Sequence, residues 1–264
     1  AASDVYKRQT LCGKDRIHPS TDGHLVMAYL FLKAQGLAGK PVADIRIDGA
    51  GKKVTRSDNC RVSDLSVSSD NLTFTYEAKS LPYPIDTSYY DNEKHTQADA
   101  LSVIPFMDEM NYEGLSVSGL SDGYYGLTIG GEFIGRFTAR ELERGINMAL
   151  LQNTPQYKQA MKIRQMNEER WLKERKMREF YWVEYNLMRK TGMLWACNEA
   201  AVDTLRKYRP HDIFLQWNGD LWLQYMHKGI REDCVNEQQD LVNQIYEQNK
   251  PIPLRIEIKK FTDL

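Results

Sequence analysis

No stretch of this chain is apolar for long enough to cross a membrane. The longest such run, Leu25 to Leu32, falls well short of the ~18–20 residues a helical span requires. Basic charge is not in surplus either: 35 Lys and Arg stand against 36 Asp and Glu, for a net charge of -1. A general nucleic-acid binder usually carries a basic excess, so no nucleic-acid partner is expected. Cysteine is sparse, with Cys12, Cys60, Cys197 and Cys234 far apart and none in a C-x-x-C pair. Close ligand spacing is the usual mark of a zinc site, so metal binding is not expected and buried thiols are. An isolated disulfide is allowed if the protein is exported, but spacing assigns no partners. No signal peptide is visible. What remains is an ordinary globular composition, 42% hydrophobic and 27% charged over 264 residues, enough for one large or two ordinary domains.

Chemistry concentrates near the start. Asp15-Arg-Ile-His18-Pro-Ser is followed by Thr-Asp-Gly23-His24 and an apolar helix. A carboxylate three residues before a histidine, on a turn bounded by proline, can reach back and hold the imidazole. That is half of an Asp-His-nucleophile relay. The full run, D-x-x-H-P-S-x-x-G-H-x-x-M-A, resembles the last conserved block of the SGNH/GDSL hydrolase family. The likeness covers roughly residues 10–37, and Asp15 and His18 match the two triad positions of that block. A looser likeness to the long C-terminal extensions of bacterial members runs from Tyr112 to Leu120, from Gly123 to Gly131, from Glu141 to Ala149 and from Asn153 to Ala160. The resemblance implies a cofactor-free serine esterase or deacylase working through an acyl-enzyme. In it His18 takes and returns the serine proton while Asp15 fixes the tautomer.

The family's serine block and oxyanion-hole blocks belong well before this point, and only Ala1 to Lys14 precede it. The run Asp4-Val-Tyr-Lys-Arg-Gln9 looks like a translated sequencing-library adapter, so residues 1–9 are set aside from fold reasoning. On this reading the chain is a truncated fragment, inactive by itself. Its parent gene is expected to extend upstream by about 150–200 residues, one ordinary domain. Extended bacterial members commonly carry export signals, so the resemblance implies a periplasmic or secreted parent.

The expected fold class is α/β: the end of a three-layer SGNH hydrolase domain (residues 10–40), a small antiparallel β region (41–138) and a helical extension with a terminal strand (139–264). Ser20 or Thr21 can cap a first helix that stops at Gly36. The helix is apolar nearly all round, so burial against a sheet that this chain lacks is expected. Alternation predicts strands at Val42–Ile47, Arg61–Val67, Leu72–Tyr76, Tyr112–Val117, Tyr124–Ile129 and Phe133–Phe137, with a short helix near Gln97–Val103. Thr138 and Glu141 have capping-box spacing, predicting a helix through Leu151. Thr154 and Pro155 open a much longer one, to about Arg189, with charges of both signs on a solvated face. Two more helices are predicted near Ala196–Tyr208 and Leu221–Gln248, and Pro253–Lys259 alternates like a strand.

The remaining candidates read more plainly. His24 supports the turn, and His95, His211 and His227 have no carboxylate or cysteine at ligand spacing. Asp108 and Glu109 are adjacent acids, which usually point apart and stay solvated rather than straddling a sugar ring. Tyr83, Tyr89, Tyr90, Tyr112, Tyr124 and Tyr125 fit core and edge packing better than a sugar-binding face. The expected partner is a small-molecule or carbohydrate ester substrate. A carbohydrate-binding or structural accessory module stays open as the alternative, and no motif sets the acyl group, the alcohol or the oligomeric state.

Overall fold

Alternation of apolar and polar residues sets the strands between residues 43 and 138, and two sheets result among the described residues. The computed structural model describes Cys12, residues 17–88 and residues 95–261. After a helix α1 (Thr21–Ala34) come β1 (Ala43–Asp48), β2 (Lys53–Asp58), β3 (Cys60–Val67) and β4 (Asn71–Ala78). A 3-10 turn at Gln97–Ser102 and a one-turn helix α2 (Phe106–Glu109) lead to β5 (Glu113–Ser118), β6 (Tyr124–Ile129) and β7 (Glu132–Thr138). A short helix α3 (Ala139–Arg144) and a two-residue β8 (Ile146–Asn147) precede the long helix α4 (Pro155–Val183). Helices α5 (Glu199–Tyr208), α6 (Ile213–Tyr225) and α7 (Lys228–Gln248) follow, and the last strand is β9 (Leu254–Lys260).

One sheet has the order β2-β1-β5-β8 and the other β3-β4-β9-β6-β7. The region is not wholly antiparallel as expected, because β1 and β5 run parallel, Ala43 facing Glu113 and Ile47 facing Val117. Such a pair needs a long crossover, and residues 49–112 supply it. The terminal strand does return to a sheet. It is inserted between β4 and β6, so Ile258 lies opposite both Leu72 and Leu127.

The inward positions of both sheets form one core. Ile45, Ile47, Leu115 and Val117 from the first share it with Phe74, Leu127, Ile129, Ile256 and Ile258 from the second. Each such side chain, fully withdrawn from water, contributes about 1.5–3 kcal/mol. Helix α1 belongs to a separate cluster. Leu25, Val26 and Tyr29 are buried with Ile85, Ala100, Ile104, Phe106 and Met107, while Met27, Leu30 and Phe31 stay exposed. The expectation that this helix has no packing partners in the chain is therefore corrected: one face is covered from within.

Local chemistry explains where helices stop. The Thr138–Glu141 capping box forms as predicted, but α3 ends at Arg144 and not at Leu151. Gly145 adopts φ 93°, a conformation open to glycine, and releases Ile146 and Asn147 to pair with β5. The long helix begins at Pro155 as expected and ends in a wider π turn at Glu184–Met188. Asn198, extended at φ -150°, accepts a hydrogen bond from the Ala201 N–H at 3.0 Å, so α5 starts later than Ala196. The helix predicted from Leu221 to Gln248 breaks between Tyr225 and Lys228.

The chain divides into two compact units. One holds residues 1–161 and 250–264, the other residues 162–249. Residues 139–161, which pattern alone groups with the helices, thus lie in the sandwich unit. The helical unit has its own core, including Phe180, Val183, Met188, Leu205, Leu215 and Trp222.

Candidate functional site

The histidine singled out by its motif sits on an exposed turn before α1. His18 is exposed, and the next residue, Pro19, forms an isolated antiparallel bridge with Cys12. Asp15 lies outside the described residues, so the Asp15–His18 contact implied by the motif is not among the structure's observations. Beyond His18 the chain is tied into the helix. Ser20 is the N-cap of α1 in extended geometry, is 6% exposed, and donates its hydroxyl to Asp22. Asp22 in turn accepts the Gly23 N–H at 2.8 Å. His24 Nδ1 lies 3.1 Å from the Ser20 carbonyl oxygen, a supporting role of the kind expected for it. The turn is tied down by the helix it precedes, because Tyr29 donates to Glu109 at 2.7 Å and Lys33 Nζ reaches the same carboxylate at 2.7 Å. The hydrogen bonds of Lys33 and Tyr29 hold the Glu109 carboxyl below the usual carboxylate range. Glu109 thus links α1 to α2 through part-exposed polar contacts and is not a freely solvated acid.

Other groups come together outside the motifs singled out above. His95 lies 3.8 Å from Asp22 and 4.0 Å from Asp99, within ion-pair distance when protonated, although no carboxylate was expected near it. His227 Nδ1 is 3.3 Å from Cys197 Sγ, again against expectation. Among the described residues no three His, Cys, Asp or Glu side chains could hold a metal ion. The tyrosines divide: Tyr125 is buried, Tyr83 packs edge-on against Phe106, and Tyr124 lies beneath the Arg136 guanidinium at 3.8 Å. Tyr89 and Tyr90 lie outside the described residues.

One charged group is buried at the heart of the sandwich. Glu113, fully shielded at the start of β5, accepts Tyr76 Oη–H at 2.8 Å and the Gln156 amide at 3.3 and 3.4 Å. Burial pushes its pKa up to about 7, with the Tyr76 and Gln156 hydrogen bonds pulling the other way. Burial, together with Glu113, likewise holds the Tyr76 phenol far above its usual value. A sequence signal was present here. Glu113 shares strand parity with inward-facing Leu115 and Val117, and a glutamate in that phase must be buried.

With this geometry in place, the chain can be set beside known proteins. Residues 161–250 match the family described as the diltiazem deacetylase C-terminal helical domain. The matched range nearly coincides with the helical unit. Among solved structures, a gut microbial diltiazem-metabolizing enzyme is similar at 40% identity and a TM-score of 0.91, over 98% of this chain. The chain spans 59% of that enzyme's length. No curated protein matches.

Proposed function

We propose that this chain is the C-terminal part of an ester-hydrolysing deacylase of SGNH/GDSL type, with His18 as general base and Asp15 as its orienting carboxylate. The observation that carries the reading is the 40% identity, extending over 98% of the chain, to an enzyme that metabolizes diltiazem. The match of the helical residues to a deacetylase family points the same way. The D-x-x-H-P-S turn supports the assignment of residues, since Asp15 and His18 match the two positions of the block it resembles and His18 is exposed.

On this reading a serine hydroxyl and the oxyanion donors come from a segment outside the chain, within the part of the similar enzyme that this chain does not span. His18 accepts the serine proton as the hydroxyl attacks the ester carbonyl, then gives it to the departing alcohol. Water deacylates the serine with His18 again as base. Asp15 holds the imidazole in the tautomer that can accept the proton. Acetate esters of small, drug-sized alcohols are the proposed substrates, no cofactor takes part, and the parent is a periplasmic or secreted protein.

The test uses the parent gene recovered with its upstream sequence, assayed on p-nitrophenyl acetate and on diltiazem. The intact parent should hydrolyse both, and the chain alone should do neither. His18→Ala should lower the parent's rate by ~10²–10⁴-fold, and Asp15→Asn should lower it strongly as well. Because His18 is exposed, the substitution removes no core side chain. An unchanged rate in His18→Ala would overturn the assignment.

A further inference from the structure

We propose that Cys197 and His227 form a reactive thiol–imidazole pair in the helical unit, a site of S-thiolation by low-molecular-weight disulfides. The two residues are thirty positions apart, and both are exposed. Cys197 Sγ and His227 Nδ1 are 3.3 Å apart, a hydrogen-bond distance for sulfur, with Nδ1 accepting when the ring proton resides on Nε2. The other thiols described are less open: Cys60 and Cys234 are buried, and Cys12 is intermediate.

Both sides of the pair are held from behind. The loop carrying Cys197 is fixed two residues earlier, where the Trp195 N–H donates to the buried Glu184 at 2.8 Å. Trp195 itself sits at φ 62°, a left-handed backbone that a bulky residue adopts only when its surroundings impose it. One residue after the cysteine, Asn198 caps α5. On the other side, the turn before α7 is clamped by Arg231, whose Nη1 donates to the Met226 carbonyl at 2.7 Å, and whose guanidinium lies over Phe180. His227 is the N-cap residue of α7, whose first turn carries no acid. Cys197 thus precedes one helix and is hydrogen-bonded to the N-cap residue of another. The neighbouring charges are already paired, Lys228 with Glu232 and Glu199 with Arg206.

The step balances without a further reactant. Cys197 passes its proton to His227, its sulfur attacks one sulfur of the disulfide, a new S–S bond forms and the old one breaks. The departing thiolate takes the proton back from His227 and leaves as a free thiol.

The experiment incubates the whole chain with oxidised glutathione and follows each cysteine-containing peptide by mass spectrometry. Cys197 should be thiolated ahead of Cys60 and Cys234. At about pH 7, His227→Asn should slow its reaction roughly threefold or more, and at about pH 9 the two proteins should converge. Equal rates at about pH 7, or earlier thiolation of Cys60 or Cys234, would overturn the proposal. A measurement on the wild-type chain alone makes the test independent of how the variant folds. The rate of Cys197 relative to free N-acetylcysteine should fall between about pH 7 and about pH 9, the interval in which an ordinary thiol ionises. A constant ratio would overturn the proposal equally.

Discussion

Glu113 in the sandwich unit and Glu184 in the helical unit are both cut off from solvent, at 0% and 1% exposure, but their oxygens are served differently. Each oxygen of Glu184 receives one short N–H, from the Trp222 indole at 2.7 Å and from the Trp195 backbone at 2.8 Å. Glu113 has one short donor, the Tyr76 hydroxyl on Oε1, and only the Gln156 amide at 3.4 Å on Oε2. The Gln156 carbonyl oxygen has no hydrogen-bond partner among the described residues. The number of short donors per oxygen decides how far a buried carboxylate is compensated for lost water. In the sandwich that compensation is incomplete, and the acid titrates near neutrality. The cores differ in kind as well. Leucine, isoleucine and valine dominate the sandwich, whereas methionines and aromatics fill much of the helical unit, which holds all five tryptophans of the chain.

The comparison breaks most visibly at Trp222. Trp222→Ala removes a fully buried side chain and one of the two donors to Glu184. A loss of about 3–5 kcal/mol in the helical unit is expected. Urea unfolding followed by the remaining tryptophans, all within that unit, measures it directly. A loss below about 1 kcal/mol would show that the indole–carboxylate contact does not organise this core.

Glu113→Gln sharpens the contrast through pH. The folded-state pKa of Glu113, about 7, lies above its ordinary value of 4.5, so folding favours the protonated form. Its burial therefore costs nothing in ionisation below about pH 4.5. Stability then declines as pH rises towards about 7 and stays lowered above it, by up to ~3 kcal/mol. The amide variant should be more stable than the wild type above pH ~7, and flatter across this interval. Hydrogen exchange of β5 peptides at several pH values measures both effects. The same slope in both proteins would assign the pH dependence to other groups.

Smaller effects should come from single local contacts. Thr138→Ala removes the cap of α3, where Thr138 Oγ1 accepts the Glu141 N–H at 3.1 Å. About 1 kcal/mol of local protection over residues 139–144 should disappear from hydrogen exchange. Lys33→Met breaks the Lys33–Glu109 pair, whose side chains are 48% and 32% exposed. Solvent screens such a pair, so only a small change in stability is expected, and a smaller one in high salt. A larger, salt-independent loss would mean that α1 is anchored by this contact and not by Leu25, Val26 and Tyr29.

Local rules made much of the fold legible. The spacing of Thr138 and Glu141, the Thr154-Pro155 start and the parity of Phe74, Leu127 and Ile256 all correspond to what the structure contains. Helix ends were read less well. Gly145, Asn198 and the Tyr225–Lys228 break each stop or delay a helix that periodicity alone would continue. At the candidate site, the sequence motif supplied Asp15 and His18, and the structure adds the brace of Ser20, Asp22, Tyr29 and Glu109 behind the turn.

Caps, turns and alternation act over about four residues, so they are written in the sequence and survive into the structure. Contacts between distant segments obey no such short rule. The insertion of β9 between β4 and β6 brings Lys259 opposite Asn71, and Glu113 meets Tyr76 and Gln156 across the sandwich. Cys197 reaches His227 only because two separate helix starts converge. Such meetings depend on which faces find partners for burial and on the entropy of closing the loops between them. For that reason the sequence alone specified most of the elements and offered the His18 turn as a candidate. Tertiary packing alone decided which partners the buried acids met and which thiol gained a base.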